Sequence, residues 1–279
     1  MDEQQVFYQG LDLVTSLVRH GQGVIVTAAP EILYLEDTDG DDRADKTTVL
    51  YSGFGYGDTH AVISNLCWGP DGWVYGTQGY SGGASRDIRG AADPDKSLGA
   101  IRNGLLRFRP DGSAIEMVSS YGSNTWGLDF DPDGELFFTM ANGSHARHVV
   151  LPERRLEGHR SGGVNSWKDI VDHRKVFPAA HDERMVYAQI DFVGGFTAAA
   201  GCLVQSGGAW PAEFAGNHFV CEPTVNLVHR DSLSPQGVTF NASKPRQAEF
   251  LASRALWFRP VHLLSLIPLC PCPRATRCR

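Results

Sequence analysis

The chain has 279 residues, and its 32 acidic and 25 basic side chains give a formal net charge of −7. No segment clusters lysine and arginine among aromatic residues, so the composition argues against nucleic acid as a partner. Glycine, proline and aromatic residues are frequent, with 31 Gly, 15 Pro and 14 Phe. No long run of helix-forming residues occurs, and a mostly β globular protein is therefore expected, with one domain as the simplest arrangement.

The first predicted element is a short strand that ends at VFYQG. The residues before it lack the basic patch and apolar core of a signal peptide. No apolar run in the chain reaches the roughly 18 residues that a membrane-spanning helix needs. Because VFYQG resembles the end of a strand followed by a turn, we expect the chain to begin inside a sheet and to lack preceding sequence.

Residues 23–35 predict two short strands separated at Pro30, and TTVLYSGF predicts the next strand after an acidic turn. Within that turn, four aspartates recur at close spacing: Asp37, Asp39, Asp41 and Asp45. Alternating aspartates in a tight loop can direct several hard oxygens inward, as calcium requires. Against the twelve-residue calcium loop, however, Asp42 replaces the usual glycine and Thr48 the usual glutamate. A weak structural calcium site and a solvated acidic hairpin both remain open.

A repeated strand–turn–strand phrase is the main signal for the fold. LCWGPDGWVYGTQG at 66–79 returns as LDFDPDGELFFTMANG at 128–143, and a third Pro-Asp-Gly turn lies at 110–112. Proline presets φ, aspartate bonds its own backbone and glycine takes the positive φ that closes the reversal. Repeated antiparallel hairpins of this kind predict a β-propeller, with coincidental hairpins in a sandwich as the alternative.

The second half of the chain is less regular. We interpret 144–183 as an insertion between blades, in which His145 and His148 could bind metal on a helix, although a loop is favoured. Strands resume at 196–231, and the last propeller-like phrase ends at residue 263. We therefore predict a partial propeller domain over 1–263 and a non-propeller tail over 264–279. For the tail, a sequence translated out of frame or otherwise unrelated to the fold is favoured over a docking element.

Six cysteines divide between these two regions. Cys67, Cys202 and Cys221 lie in apolar segments and are predicted to be small buried side chains, with a disulfide from Cys202 to Cys221 left open. The other three crowd into the tail. None of the spacings is that of a zinc site or a haem attachment.

Several long phrases together resemble a known family. They are VIVTAAPEILYLEDTDGDDRADKTTVLYSGFG, LCWGPDGWVYG, RHVVLPERRL, AWPAEFAGNHFVCEPTVNLVHRDSLSPQGVTF and FLASRALWFRPV. The resemblance is to the propeller domain of bacterial membrane-bound dehydrogenases in the soluble quinoprotein glucose/sorbosone dehydrogenase-like superfamily. It covers about 6–263 and implies an all-β, six-bladed-type β-propeller that is incomplete here, with about four to five blades present.

The resemblance also implies a chemistry. It suggests oxidation of a sugar-type alcohol or aldehyde, with pyrroloquinoline quinone and calcium as cofactors and His60 as the base that takes the proton. Gln78 and Asn124 would contact the quinone. Tyr80 and Ser123 stand where those enzymes have an aspartate and an arginine, and His60 is shifted by one residue.

For the parent protein, the resemblance implies a haem c domain that is absent here, and a periplasmic or membrane-associated location. An alternative is a non-catalytic propeller that binds carbohydrate or protein within a larger exported assembly. A lactonase-type propeller would need a converging glutamate, asparagine and aspartate, and the sequence assigns no such set.

Overall fold

The computed structural model describes residues 4–121, 123–157, 164–180, 195–207 and 210–264. In these ranges the chain forms antiparallel sheets and three short 3₁₀ helices, Tyr80–Ala84, Glu153–Arg155 and Ala212–Phe214, with no α-helix. No described helix is long and apolar enough to cross a bilayer. The predicted all-β, propeller-type fold is confirmed, with four separate sheets and none closed on itself in the described ranges.

The described strands belong to four sheets. The first sheet holds β1 (Val14–His20), β2 (Gly23–Ala28), β3 (Glu31–Glu36), β4 (Lys46–Ser52), β7 (Arg89–Gly90) and β8 (Asp93–Ser97). The second holds β5 (Ile63–Trp68), β6 (Val74–Gln78), β9 (Gly104–Phe108) and β10 (Ile115–Ser120). The third holds β11 (Thr125–Phe130), β12 (Leu136–Met140), β13 (Arg147–Val149) and β14 (Trp167–Asp169). The fourth holds β15 (Cys202–Val204), β16 (His218–Glu222), β17 (Leu227–Gln236), β18 (Thr239–Ser243) and β19 (Leu251–Ala252).

The first and third sheets follow chain order, β1-β2-β3-β4-β7-β8 and β11-β12-β13-β14. The second runs β10-β9-β6-β5, and in the fourth β19 pairs with β17 beside the path β15-β16-β17-β18. The chain divides into two compact units, residues 1–128 with 151–167, and residues 129–150 with 168–279. The first two sheets belong to the first unit and the fourth sheet to the second.

The three Pro-Asp-Gly turns have the predicted geometry. In each, the glycine N–H donates to the carbonyl three residues earlier, at 3.2, 3.2 and 3.0 Å for Gly72, Gly112 and Gly134. The same glycines have φ of +73°, +78° and +86°. In the first two turns the aspartate also accepts an N–H from two residues further on. Local turn chemistry therefore determines these hairpins.

The core of the first unit lies between its sheets. All five residues of β9 are buried, and Tyr51 on β4 is fully buried beside Phe108, with ring centroids 5.2 Å apart. The Tyr51 hydroxyl donates to the carbonyls of Arg109 and Ala114, at 2.7 and 2.8 Å. This side chain therefore ties the first sheet to the β9–β10 hairpin through both apolar contact and hydrogen bonds.

The structure corrects two predictions and decides a third. Residues 6–10, predicted as the end of a strand, form no strand, and the first strand begins at Val14. The interpretation of 144–183 as an insertion between blades was wrong, because β13 and β14 lie inside it and complete the third sheet. Cys202 and Cys221 are buried and Cys67 is half-buried, and no disulfide joins Cys202 to Cys221. The boundary near residue 263 stays a prediction, and residues 265–279 of the tail lie outside the described residues.

Asp129 on β11 gives a testable pH dependence. Burial raises the pKa of its carboxyl to about 6, although the Val204 N–H donates to its Oδ2 at 2.8 Å. The pKa of Asp129 is higher in the folded than in the unfolded protein, so ionising this carboxyl lowers the free energy of unfolding. This loss is absent below about pH 4 and complete above about pH 6. An asparagine side chain would keep the acceptor without the charge. After discounting for partial exposure, we expect Asp129→Asn to stabilise the protein by about 1–2 kcal/mol at pH 7.5 and by little at pH 4.

Urea unfolding of the two proteins at both pH values measures this effect. Asp133→Asn, at the exposed tip of the following turn, is the matched control. An Asp129→Asn protein whose gain in unfolding free energy is the same at pH 4 and pH 7.5 contradicts the assignment.

Candidate active site

The loop between β4 and β5 is held against the 3₁₀ helix Tyr80–Ala84. The Ser81 hydroxyl accepts the Asp58 N–H at 3.0 Å and lies 2.9 Å from the Asp58 carbonyl. The Ser81 N–H donates to the carbonyl of Ala61 at 3.1 Å. Gly55 permits this close approach, because a Cβ there would lie 2.2 Å from the Ser81 carbonyl oxygen. The backbone of the loop is therefore fixed by hydrogen bonds on both sides of His60.

His60 forms a dyad with Asp58. Its Nδ1 lies 3.1 Å from Asp58 Oδ1, and its backbone N–H donates to the same oxygen at 2.8 Å. Tyr80 donates its hydroxyl to the other carboxylate oxygen. The hydrogen bonds from Tyr80 and from the His60 backbone lower the pKa of Asp58, and the same contact with Asp58 raises the pKa of Tyr80. Asp58 is thus an ionised acceptor, while the His60 side chain is 90% exposed.

Two amide side chains border the same loop. Gln78 Nε2 donates to the carbonyls of Ala61 and Gly79, at 3.2 and 3.3 Å, and Asn124 Nδ2 donates to the His60 carbonyl at 3.4 Å. The amide oxygens of both side chains are buried and accept no hydrogen bond from the described residues. Gly79 makes room for Asn124, since a Cβ on it would lie 2.4 Å from Asn124 Oδ1. Both oxygens are therefore enclosed acceptors without a donor among the described residues.

The structure brings the three residues implied by the resemblance, His60, Gln78 and Asn124, around one loop. Their roles remain predictions. Tyr80, which occupies the position of an expected aspartate, contacts Asp58 instead. The carboxylate at this site therefore comes from two residues before the histidine.

Among the described residues, no cationic side chain contacts the candidate site. Within the part of the chain that the structure describes, no lysine or arginine donates to His60, Asp58, Gln78 or Asn124. Pyrroloquinoline quinone carries three carboxylates, which need cationic or strong donor partners. The described residues around His60 therefore supply no cationic partner for those carboxylates, and the cofactor stays a prediction of the resemblance.

The four aspartates of the acidic turn divide between two arrangements. Asp37, Asp39 and Asp41 each place a carboxylate oxygen within 4.8 Å of the others. Asp45 is not part of this group, and its two oxygens accept the backbone N–H and the hydroxyl of Thr38, at 3.0 and 2.6 Å. The calcium site stays a prediction for this turn.

Asp37 is the buried member of the group and is bonded by its own turn. Its oxygens accept the N–H groups of Gly40 and Asp42 at 2.7 and 2.9 Å. Burial raises its pKa, but the backbone hydrogen bonds outweigh that effect and hold the pKa below its usual range. Much of the carboxylate's acceptor capacity is therefore already used within the turn.

Sequence reasoning missed Asp58. Its position two residues before His60 was visible, since a short polar side chain at that spacing can bond back within a turn. The contact between Tyr80 and Asp58 could not be predicted from the sequence, because these residues are 22 positions apart and meet only in the folded chain.

Sequence reasoning also missed a second cluster. His145, His173, His229 and Asp231 converge in the second unit. His148, which the sequence pairs with His145, instead bonds Glu135 and Thr239 at 2.7 and 3.1 Å. The available signal was the alternation of His229 and Asp231, which places both on one face of a strand.

The chain matches one family model and several solved structures. The family model described as "Domain of unknown function (DUF7133)" matches residues 1–265. No curated protein sequence matches significantly. A structure from Thermus thermophilus, described as a candidate oxidoreductase (glucose dehydrogenase), is 16% identical with a TM-score of 0.53, covering 94% of this chain and 76% of that one.

Two further structures are more distant. Virginiamycin B lyase from Staphylococcus aureus is 14% identical with a TM-score of 0.42, over 83% of this chain and 55% of its own. A candidate gluconolactonase is 13% identical with a TM-score of 0.41, over 75% and 56%. The chain thus spans little more than half the length of these two structures. At these identities the likeness to the Thermus protein concerns the fold.

Proposed function

The chain belongs to the family described as a domain of unknown function (DUF7133), and from that premise we propose that it is the substrate-binding and proton-accepting part of a propeller oxidoreductase for sugar-type alcohols or aldehydes. The observation that carries the proposal is the exposed His60 held by Asp58. The shared fold with a candidate glucose dehydrogenase supports it.

The dyad suits proton abstraction from a hydroxyl. An ionised carboxylate only accepts hydrogen bonds, so the contact with Asp58 requires the proton of neutral His60 to be on Nδ1. Nε2 then carries the lone pair, and the exposed side chain presents it to solvent. Oxidation of an alcohol removes a proton from oxygen and a hydride from carbon. His60 would take the proton, and a bound two-electron acceptor of the quinone class would have to take the hydride.

The orphan amide oxygens suit a sugar. Gln78 Oε1 and Asn124 Oδ1 are buried acceptors without partners in the described ranges. If the loop around His60 opens, hydroxyl groups of a polyhydroxylated substrate can reach both oxygens and donate to them, which would relieve the cost of leaving them unpaired. Because no described lysine or arginine contacts these residues, a quinone would need other groups to hold its carboxylates, and we derive no step through pyrroloquinoline quinone. Calcium, a haem c partner and a periplasmic or membrane-associated parent remain predictions of the resemblance.

A non-catalytic carbohydrate-binding propeller is the second candidate. The observations that favour it are the absence of cationic contacts at the site, among the described residues, and the use of Tyr80 to bind Asp58. Both candidates share the sugar contacts and differ in whether His60 transfers a proton.

Sugar titrations with and without cofactor separate the two candidates. Glucose and other aldoses would be added to the full chain while the His60 imidazole is followed by NMR, and dye reduction would be assayed with saturating quinone and calcium. We expect sugar to perturb His60 and the dye to be reduced. Sugar binding without dye reduction supports the second candidate, and no sugar binding contradicts both. His20→Gln, a half-buried histidine of β1, is the control for His60→Gln.

A further inference from the structure

Four metal-binding side chains converge inside the second unit. His145 lies in the loop between β12 and β13, and His173 follows β14. His229 and Asp231 alternate on β17 and so face the same side of the strand. One ligand atom of each residue lies within 4.8 Å of those of the other three. Three separate stretches of chain therefore meet at one point.

A proton count shows that lone pairs of several side chains face one another at this point. His173 Nδ1 lies 2.6 Å from Asp172 Oδ1, and His229 Nδ1 lies 2.7 Å from Glu249 Oε2. Carboxylates accept only, so both Nδ1 atoms carry hydrogen and both Nε2 atoms of the neutral rings carry lone pairs. Those two Nε2 atoms are 3.1 Å apart. Asp231 Oδ1 lies 3.1 Å from Nε2 of His229 and 3.4 Å from Nε2 of His173. Acceptors thus face acceptors, which requires a proton or a metal ion between them.

Three of the six spacings within the cluster match those of a tetrahedral metal site. Ligands about 2.0–2.1 Å from a zinc ion in tetrahedral geometry are about 3.3 Å from one another. The contacts from Asp231 Oδ1 and between His173 and His229 are 3.1–3.4 Å, and His145 Nε2 lies 2.9 Å from Asp231 Oδ2. To bind the same ion, His145 would have to move from Asp231 Oδ2 toward the point that the other three ligands share.

We propose that His145, His173, His229 and Asp231 bind a divalent transition-metal ion, with zinc as the best match to three imidazoles and one carboxylate. Imidazole-rich sets favour zinc, copper, iron and nickel over calcium or magnesium. With all four positions filled by protein ligands, the ion has a structural role. It links β17 to the loops after β12 and β14.

The surroundings of the cluster resemble those of metal sites. Asp172 and Glu249 hold the outer nitrogens of two ligands, as carboxylates commonly do around zinc-bound histidine. Glu249 is itself fixed by Lys244 and by the Phe177 N–H, which donates to Oε1 at 2.8 Å. Two of the three histidines are therefore oriented before an ion arrives.

The cluster is accessible from one side. His145, His229 and Asp231 are fully buried, whereas the His173 side chain is 17% exposed. A surface cavity of about 270 Å³ opens beside it, lined by Asp169, Val171, Asp172, His173 and Arg174. An ion can enter past His173, with two carboxylates at the mouth.

Metal analysis of the full chain tests the proposal. The protein would be purified, stripped with chelator and titrated with zinc chloride, and separately with cobalt chloride. We expect one zinc per chain and the intense visible absorption of tetrahedral cobalt, with a rise in the unfolding midpoint on adding zinc. A folded protein that takes up neither ion, because a proton occupies the cluster, overturns the proposal.

Variants locate the ion. His173→Gln removes the most exposed ligand and should abolish the cobalt spectrum. Asp172→Asn keeps all four ligands and should weaken zinc binding about 10–100-fold. His148→Gln, in the same unit but outside the cluster, should keep one zinc per chain. If His173→Gln binds zinc with wild-type affinity, the ion lies elsewhere and the assignment fails.

Discussion

Replacing Asp58 with asparagine is expected to lower sugar oxidation about 10²-fold, and replacing His60 with glutamine about 10²–10⁴-fold, the range that a positioned general base contributes. The reason for the Asp58 effect is the His60 tautomer. The amide of the introduced asparagine can donate to Nδ1, which moves the ring proton to Nε2 and leaves no lone pair for the substrate hydroxyl. Dye reduction at saturating sugar, quinone and calcium measures the rates.

Tyr80→Phe is the matched control for this pair. It removes the hydroxyl that donates to Asp58 but leaves the contact between Asp58 and His60. We expect less than a tenfold loss, since the histidine keeps its orientation.

The tautomer itself offers a readout that does not depend on turnover. The ¹⁵N shifts of the His60 ring should show a protonated Nδ1 in the wild-type protein and a protonated Nε2 in Asp58→Asn. If the variant keeps the Nδ1 proton and its activity, Asp58 has no positioning role, and the dyad is only a surface contact.

The parts of the fold that sequence reasoning predicted are those controlled by local chemistry. Pro-Asp-Gly determines a turn within four residues, so the hairpins around Gly72 and Gly134 could be read directly. β13 and β14 were missed because each has only three residues and lies in a charged segment. Arg147 and His148 are buried by tertiary contacts, and such burial cannot be predicted from local hydrophobic periodicity.

The same limit applies to the sites. His60, Gln78 and Asn124 came from a resemblance, and the fold places them together. The cluster of His145, His173, His229 and Asp231 joins residues up to 86 positions apart, so its spacing in the sequence matches no metal motif. Such sites can be found only once the strands are paired.

Replacing Gly104 with alanine is expected to cost at least about 3 kcal/mol of unfolding free energy, because two independent constraints act there. Gly104 begins β9 with φ of +134°, a conformation that side chains rarely adopt. A Cβ on it would also lie 2.1 Å from the Ser119 carbonyl oxygen and 3.0 Å from Ser120 Cα on the paired strand. These are backbone atoms, so relief requires β9 and β10 to separate.

Gly99→Ala separates the two causes. Gly99 has φ of +93°, and nothing lies within 4 Å of a Cβ built there. Its substitution therefore adds backbone strain alone, about 1 kcal/mol. Urea unfolding of both variants measures the difference, which we expect to be at least about 2 kcal/mol. Equal losses of unfolding free energy in the two variants would show that β9 and β10 can separate around the added methyl group at little cost. The close backbone approach at Gly104 would then not stabilise this edge of the second sheet.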